Sequence, residues 1–239
     1  MNMKFAVDFH IHSALSPCAD NDMTPNNIVN MSILKGLDII VLTDHNSCKN
    51  LPAIIDVAKN KGLMVIPGIE VQTKEEVHVL CFFKDLDIAM KFDGIIYDCL
   101  PDLINNEEVF GKQLIMNSQD EIIDKENKLL LSSCSLSINE VFDLVRAFGG
   151  FCIPAHVDRP AYSIISNLGF IPPALNIRTV EFSRSQSPES IIKKFPYLKD
   201  YNYIISSDAH YLWDISEREF FIDIDYLSFT EIKTFICNK

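Results

Sequence analysis

The sequence predicts an α/β protein of the TIM-like barrel class, and three observations lead there. Short apolar runs rich in β-branched and aromatic residues recur through 239 residues, helix-like segments separate most of them, and polar residues gather where the runs end. Near-continuous apolar runs are expected where both faces of a parallel strand are buried. Strands alternating with helices imply a parallel sheet, and seven of them invite closure into a barrel with its site at the strand C-termini.

The seven strand candidates cover residues 4–9, 38–42, 63–67, 77–83, 151–154, 179–182 and 203–205. Helices between them carry start and stop signals. Thr24-Pro25 supplies an N-cap and a first-turn proline, and Gly36 closes that helix. Asn50 and Pro52 open a second helix, which Gly62 ends. Ser137-Ile138-Asn139-Glu140 reads as a capping box whose helix runs to Gly149-Gly150, and Ser187-Pro188-Glu189 opens another. Residues 84–137 break the rhythm, with an amphipathic piece at 85–92 and a hairpin at 112–131 turning at the polar stretch 121–127. The expected organisation is one domain over residues 1–239 with an inserted subdomain at about 84–137.

A hydrophobic fraction of 48% excludes a disordered chain, and a net charge of −12 excludes a long cationic track for nucleic acid. A short nucleotide stays open as substrate, because bound divalent cations reverse the field locally. Seven scattered cysteines without a Cys-x-x-Cys pair suit free thiols in a reducing compartment. With no leader-like N-terminus and no apolar run of about eighteen residues, the expectation is a cytoplasmic protein without membrane contact.

All six histidines lie in or just after apolar runs. His10 and His12 share one side of a strand because side chains alternate, and Asp8 has the same parity. His45, Glu70, His156, Arg184 and Asp208 follow strand ends, while His78 lies inside its strand. Each alone has an ordinary explanation: a strand-end acid, a salt bridge, a satisfied core histidine. Together, His, Asp and Glu suit two or three divalent cations of the zinc, manganese or iron kind, and the cysteine spacing argues against a structural zinc knuckle. Asp208 and His210 repeat the parity of His10 and His12.

The motifs Asp8-Phe9-His10-Ile11-His12-Ser13, Thr43-Asp44-His45, Gly68-Ile69-Glu70, His78, Pro154-Ala155-His156 and Ser207-Asp208-Ala209-His210 resemble those of the polymerase and histidinol phosphatase (PHP) family. Order and spacing agree along nearly the whole chain. The resemblance implies a distorted seven-stranded (β/α)7 barrel, up to three divalent metals and phosphoester hydrolysis. By motif, it assigns His10, His12, Glu70 and Asp208 to a first metal, and Glu70, His78 and His156 to a second. His45 and His210 would hold a third with a residue from the loop after the first strand. That loop departs from the family form Ser-Asp-Gly, reading Ser16-Pro17-Cys18-Ala19-Asp20-Asn21-Asp22. Counting back from Thr24-Pro25 favours Asp20, with Asp22 second and Cys18 more in keeping with a small hydrophobe.

The implied chemistry is attack on phosphorus by a hydroxide bridging the first two metals. Arg159 and Arg184, both after strand ends, are candidates to bind phosphate oxygens, unless they pair with Asp158 or Glu181. Asp44 is the candidate acid for the leaving oxygen. The expected substrate is a small phosphomonoester, a nucleotide or a short oligonucleotide. Two alternatives stand beside this: an amidohydrolase-type C–N hydrolase, which usually carries a strand-end lysine where Glu70 lies, and a non-catalytic barrel kept for binding.

Overall fold

A computed structural model describes residues 3–238; residues 1, 2 and 239, at the ends of the expected domain, lie outside the described residues. In chain order the elements are β1 (Met3–Ile11), α1 (Pro25–Leu34), β2 (Ile39–Leu42), α2 (Leu51–Ala58), β3 (Met64–Gln72) and β4 (His78–Phe82). The inserted region follows as α3 (Leu86–Cys99), α4 (Glu107–Phe110), β5 (Leu114–Met116) and β6 (Ile122–Lys125). The chain continues through α5 (Ile138–Ala147), β7 (Phe151–Pro154), α6 (Ile164–Leu168), β8 (Thr179–Phe182), α7 (Pro188–Lys194), β9 (Asn202–Ile205), β10 (Phe221–Ile224) and α8 (Phe229–Asn238).

The mixed α/β fold is built on a curled sheet in the order β10-β1-β2-β3-β4-β7, with β8 and β9 paired separately and in parallel. Alternate residues of a strand face opposite ways. Thus Ile40 and Leu42 of β2 join the cluster containing Ile28 and Val29 of α1 and Ile54 of α2. Ile39 and Val41 face the other way, packing with Val7, Phe9, Ile66, Leu80 and Phe82 in a cluster that includes Ile232 and Ile236 of α8.

The cap signals act largely as expected. Thr24 accepts from the Asn27 amide at the start of α1, and Ser137 and Glu140 complete the capping box of α5. Asn50 makes no cap bond. Its side chain instead donates to Ser13 Oγ at 2.9 Å and Leu114 O at 3.0 Å and accepts from Met116 N at 2.9 Å. One amide therefore ties the insertion to the loop after β1. The second helix also stops at Ala58, ahead of Gly62.

Strand direction departs from the all-parallel expectation. β4 runs antiparallel to both β3 and β7. The reason is length: only residues 73–77 join β3 to β4, whereas a parallel crossover needs a dozen or more. β3 itself continues past Pro67-Gly68 to Gln72, so Glu70 lies within a strand, and His78 opens β4 rather than sitting inside it. A further strand, β10, pairs antiparallel with β1. Its alternation of acid and isoleucine marks a half-buried edge strand. The hairpin of the insertion is present, but its turn lies at residues 117–121, where Asn117 N donates to Glu121 O at 3.0 Å. The polar stretch after it forms the solvent-exposed strand β6.

Two seams join the β8–β9 pair to the sheet, and buried carboxylates stitch both. Just past the end of β9, Ala209 bridges Ile11 of β1. Asp8 adds to it, accepting from Ser207 N at 3.0 Å and Ser216 N at 2.9 Å. Between β7 and β8, Glu181 O accepts from Val157 N at 2.9 Å and its carboxylate accepts from His156 N at 2.9 Å. Asp158 accepts from Ser183 N at 2.8 Å.

An Asp8→Ala substitution leaves the buried Ser216 N–H and the half-buried Ser207 N–H without acceptors, each costing about 1–3 kcal/mol when water cannot replace the lost partner. We expect a loss of about 2–5 kcal/mol in urea unfolding. A loss near zero would show that the β9–β1 seam does not depend on this side chain.

Candidate metal centre

Glu70 enters the interior at the end of β3, where Gly68 lets two backbones approach closely. A Cβ on Gly68 would lie 2.4 Å from Val41 Cγ1 and 3.0 Å from Leu42 O. Five imidazoles surround the Glu70 carboxylate. Oε1 lies 2.9 Å from His78 Nδ1, 3.2 Å from His156 Nε2 and 3.3 Å from His10 Nε2. Oε2 lies 2.9 Å from His45 Nδ1 and 3.4 Å from His12 Nε2. Asp208 Oδ1 completes the cluster at 3.1 Å from both His10 Nε2 and His12 Nε2.

The outward nitrogens are oriented by further side chains. His10 Nδ1 faces Glu181 at 3.0 Å, His12 Nδ1 faces Ser16 Oγ at 3.0 Å, and His78 Nε2 faces Gln72 Oε1 at 3.3 Å. Such contacts fix the ring and its tautomer so that the other nitrogen points at a cation. His156 and Asp208 both sit at positive φ, +29° and +51°, in a region non-glycine residues rarely adopt. The His156 amide donates to Glu181, and the Ser207 amide next to Asp208 donates to Asp8.

The donor set fits divalent metals. His10 Nε2 and His12 Nε2 face each other at 3.1 Å, an arrangement in which one shared proton or one cation must satisfy both. His45 Nδ1 and Glu70 Oε2 are buried 2.9 Å apart without a hydrogen-bond partner, a state that suits atoms serving a cation. Three groups bring their ligand atoms within 4.8 Å of one another: His10, His12 and Asp208; His45, Glu70 and His78; and His12, His45 and His210.

The electrostatics agree. Burial opposes charge on Glu70, but His78, His10 and His45 overcome it and hold the carboxylate well below its usual range. Asp208 is held low against burial by His10 and His12. Burial likewise opposes a proton on His10, yet Asp208, Glu181 and Glu70 raise its pKa well above normal. His12 is pushed well below by burial, with His210 and His45 adding to the effect, and burial lowers His78 to about 4. Against burial, His45 and His210 are raised by Cys18 and by Glu70 or Asp208, whereas His12 and His78 stay neutral, the form in which an imidazole binds a cation.

Of the residues singled out by sequence, His10, His12, His45, Glu70, His78, His156, Asp208 and His210 come together here. Asp20 does not: its carboxylate accepts from Asp22 N at 2.8 Å within its own turn, and its loop instead presents Cys18 Sγ 3.2 Å from His210 Nε2. Burial acts against the Cys18 thiolate, but His45 and His210 lower the thiol to about 6. Asp44 is buried and occupied, accepting from Ser13 N at 2.7 Å, Ser13 Oγ at 2.6 Å and Ser16 Oγ at 2.7 Å. Arg159 meets Asp208 Oδ2 at 2.6 Å and lines a cavity of about 220 Å³ with Glu70, His78, His156, Leu131 and Tyr162. Arg184 is exposed and absent from that lining. Glu181 and Ser16 had not been picked out as partners of the ligands. An acid inside the apolar run Thr-Val-Glu-Phe was the available signal for Glu181.

These features place the chain in a class, and the comparison with known families agrees: residues 8–166 match the PHP domain. The chain belongs to the PHP family, whose domains bind divalent metals. An uncharacterized protein of Methanocaldococcus jannaschii is 29% identical over 164 residues, covering 69% of this chain and 18% of that protein. The lesion-specific endonuclease Q of Pyrococcus furiosus shares the fold at a TM-score of 0.70 and 20% identity, covering 97% of this chain and 55% of that one. Endonuclease Q bound to a 27-mer duplex with an abasic lesion at its active site gives 0.74 and 20%, covering 97% and 56%. The chain thus spans under a fifth of the curated relative and about half of the endonuclease chains. Among the described residues, no helix is long and apolar enough to cross a membrane.

Glu181→Gln keeps the shape but removes the charge facing His10. We expect metal affinity to fall about 10–100-fold with the circular dichroism spectrum unchanged. Undiminished affinity by isothermal titration would remove Glu181 from the site.

Proposed function

We propose that this protein is a metal-dependent phosphoesterase acting on a nucleotide or nucleic-acid phosphoester. The observation that carries this reading is one buried carboxylate, Glu70, with both oxygens turned to five imidazoles beside an arginine-lined cavity. Endonuclease Q, which shares the fold and takes lesion-bearing DNA at its active site, supports the nucleic-acid part. We read the two carboxylate-stitched seams as the closure of a distorted seven-stranded barrel, within a single domain whose insertion spans about 84–137.

His10, His12, Glu70 and Asp208 would hold one cation, and Glu70, His78 and His156 a second. His45 and His210 would hold a third with Cys18 in place of Asp20. A thiolate favours zinc or iron over manganese at that third position. When bound, the cations supply Lewis acidity and neutralise the phosphoryl charge. Glu70 would contribute a ligand to both of the first two cations. Arg159 keeps its contact with Asp208 while offering its remaining N–H groups to phosphate oxygens. Asp44 orients Ser16, which fixes the His12 ring, so we assign it positioning rather than proton transfer. Arg184 has no part in the reading.

The test is a screen of phosphorylated metabolites, nucleotides and short oligonucleotides with zinc or manganese, beside amide and lactone substrates. We expect phosphoester hydrolysis that falls at least 100-fold in kcat/KM in His10→Ala, on the order of the loss seen when a key catalytic contact is removed. Turnover of amides or lactones alone, or activity indifferent to His10→Ala, overturns the proposal. Metal content measured by emission spectrometry separates the loop candidates: Cys18→Ala should lose one equivalent and Asp20→Ala none.

A further inference from the structure

We propose that the end of the molecule opposite the metal centre carries a second ligand site, a cationic pocket for a small organic oxyanion. Its ligand would bear a phosphate or carboxylate head on a compact apolar body. The site stands independently of the phosphoester reading.

A cavity of about 290 Å³ lies among α5, α8 and the starts of β7 and β8. Phe151 and Thr179, which line it, open β7 and β8, whereas His156 follows the other end of β7. It shares no lining residue with the cavity beside Glu70. Arg146, Arg178 and Lys233 reach it from three stretches of chain, and among the described residues no carboxylate side chain lines it. An adjoining cavity of about 460 Å³ shares Lys233, Cys237 and Asn238, adds Lys84, and again has no acidic lining residue. In a chain with 33 acids against 21 lysines and arginines, this is a local reversal of charge.

Two of the three cations also serve the fold, and the third does not. Lys233 Nζ donates to Gly149 O at 2.8 Å, tying α8 to the end of α5. Arg146 donates to Leu175 O, meets Asp143 at 3.2 Å and lies 5.7 Å from the centre of the Phe142 ring. These contacts fix the charged heads yet leave donors over, because an ammonium carries three and a guanidinium five. The Arg178 guanidinium has neither a hydrogen bond nor an ion pair among the described residues. Its backbone is nevertheless held, since Asn202 N donates to Arg178 O at 2.8 Å. An anchored arginine thus stands beside two fixed cations with its whole fork unused.

The lining also sets the class of ligand. Phe142, Phe151 and Ile236 are buried and form an apolar floor, while Arg146 and Arg178 are exposed at the rim. A guanidinium takes phosphate or carboxylate oxygens in bidentate fashion, and a cleft walled by one sign of charge concentrates the opposite ion. The volume lies at the lower bound of small-molecule sites, about 300 Å³, so the body attached to the anion is compact. The cationic field is felt within the pocket: burial raises the Cys237 thiol, and Lys233 and Arg146 pull against that rise.

Cys237 is exposed and lines both cavities, which makes it a local reporter. We would follow its alkylation by iodoacetamide in the zinc-loaded full chain, resolved by peptide mass spectrometry at constant ionic strength. The probes are phenylphosphonate, benzoate and inorganic phosphate. We expect saturable protection by phenylphosphonate or benzoate, whichever head group the pocket takes, with an affinity at least about tenfold above that of inorganic phosphate, on the order of burying one ring. Arg178→Ala should weaken protection about tenfold with an unchanged thermal midpoint, and Arg178→Lys should recover part of it. His10→Ala, which disables the metal centre, should leave protection intact, so binding here is read apart from binding there. Absence of saturable protection, equal affinity for inorganic phosphate, undiminished protection in Arg178→Ala, or its loss in His10→Ala overturns the pocket.

Discussion

A carboxylate buried among imidazoles is the constraint around which this molecule is arranged. Glu70 is withdrawn from water at the end of a central strand, where an unpaired charge would be untenable. Five histidines from four stretches of chain meet its two oxygens, and Asp208 adds a second negative charge. His10 and His45 are drawn toward positive charge beside the carboxylates, while burial keeps His12 and His78 neutral, with ring nitrogens free to serve a cation. Cations are the economical solution, and the backbone is shaped to receive them.

That shaping lies mostly in side chains that never reach the cavity. Glu181 turns His10 and also accepts from the His156 amide, so one buried acid orients two ligands. Ser16 turns His12 and is itself held by Asp44. His156 and Asp208 occupy positive-φ backbone conformations, with the His156 amide fixed by Glu181 and the Ser207 amide beside Asp208 fixed by Asp8. The ligand geometry is therefore set from outside the ligand shell.

Most of this was legible in the sequence. The runs that became β1, β2, β7, β8 and β9 were recognisable, and the parity of His10 with His12 and of Asp208 with His210 marked a shared direction. What escaped depended on contacts rather than pattern. The orientation of β4 follows from a short connection, not from its composition, and β10, a four-residue Phe-Ile-Asp-Ile run, owes its place to pairing with β1. Asp20 is favoured by counting along the loop; in the fold one of its oxygens accepts from Asp22 N while Cys18 Sγ lies nearer the histidines. Arg184 follows a strand end as Arg159 does, yet the local chain leaves it in solvent, a distinction periodicity cannot carry. Glu181 was visible as an acid in an apolar run, and only the fold revealed which histidine it serves.

The two seams of the β8–β9 pair carry one more consequence. Backbone ladders hold the other strands of the sheet, but this pair is joined largely through Asp8, Asp158 and Glu181, and it delivers Asp208 and His210 to the centre. A cation held between β1 and Asp208 would add a further tie between this pair and the sheet. Metal occupancy would then govern how stiff the molecule is as a mechanical object, so that the same bonds that prepare the site also brace it.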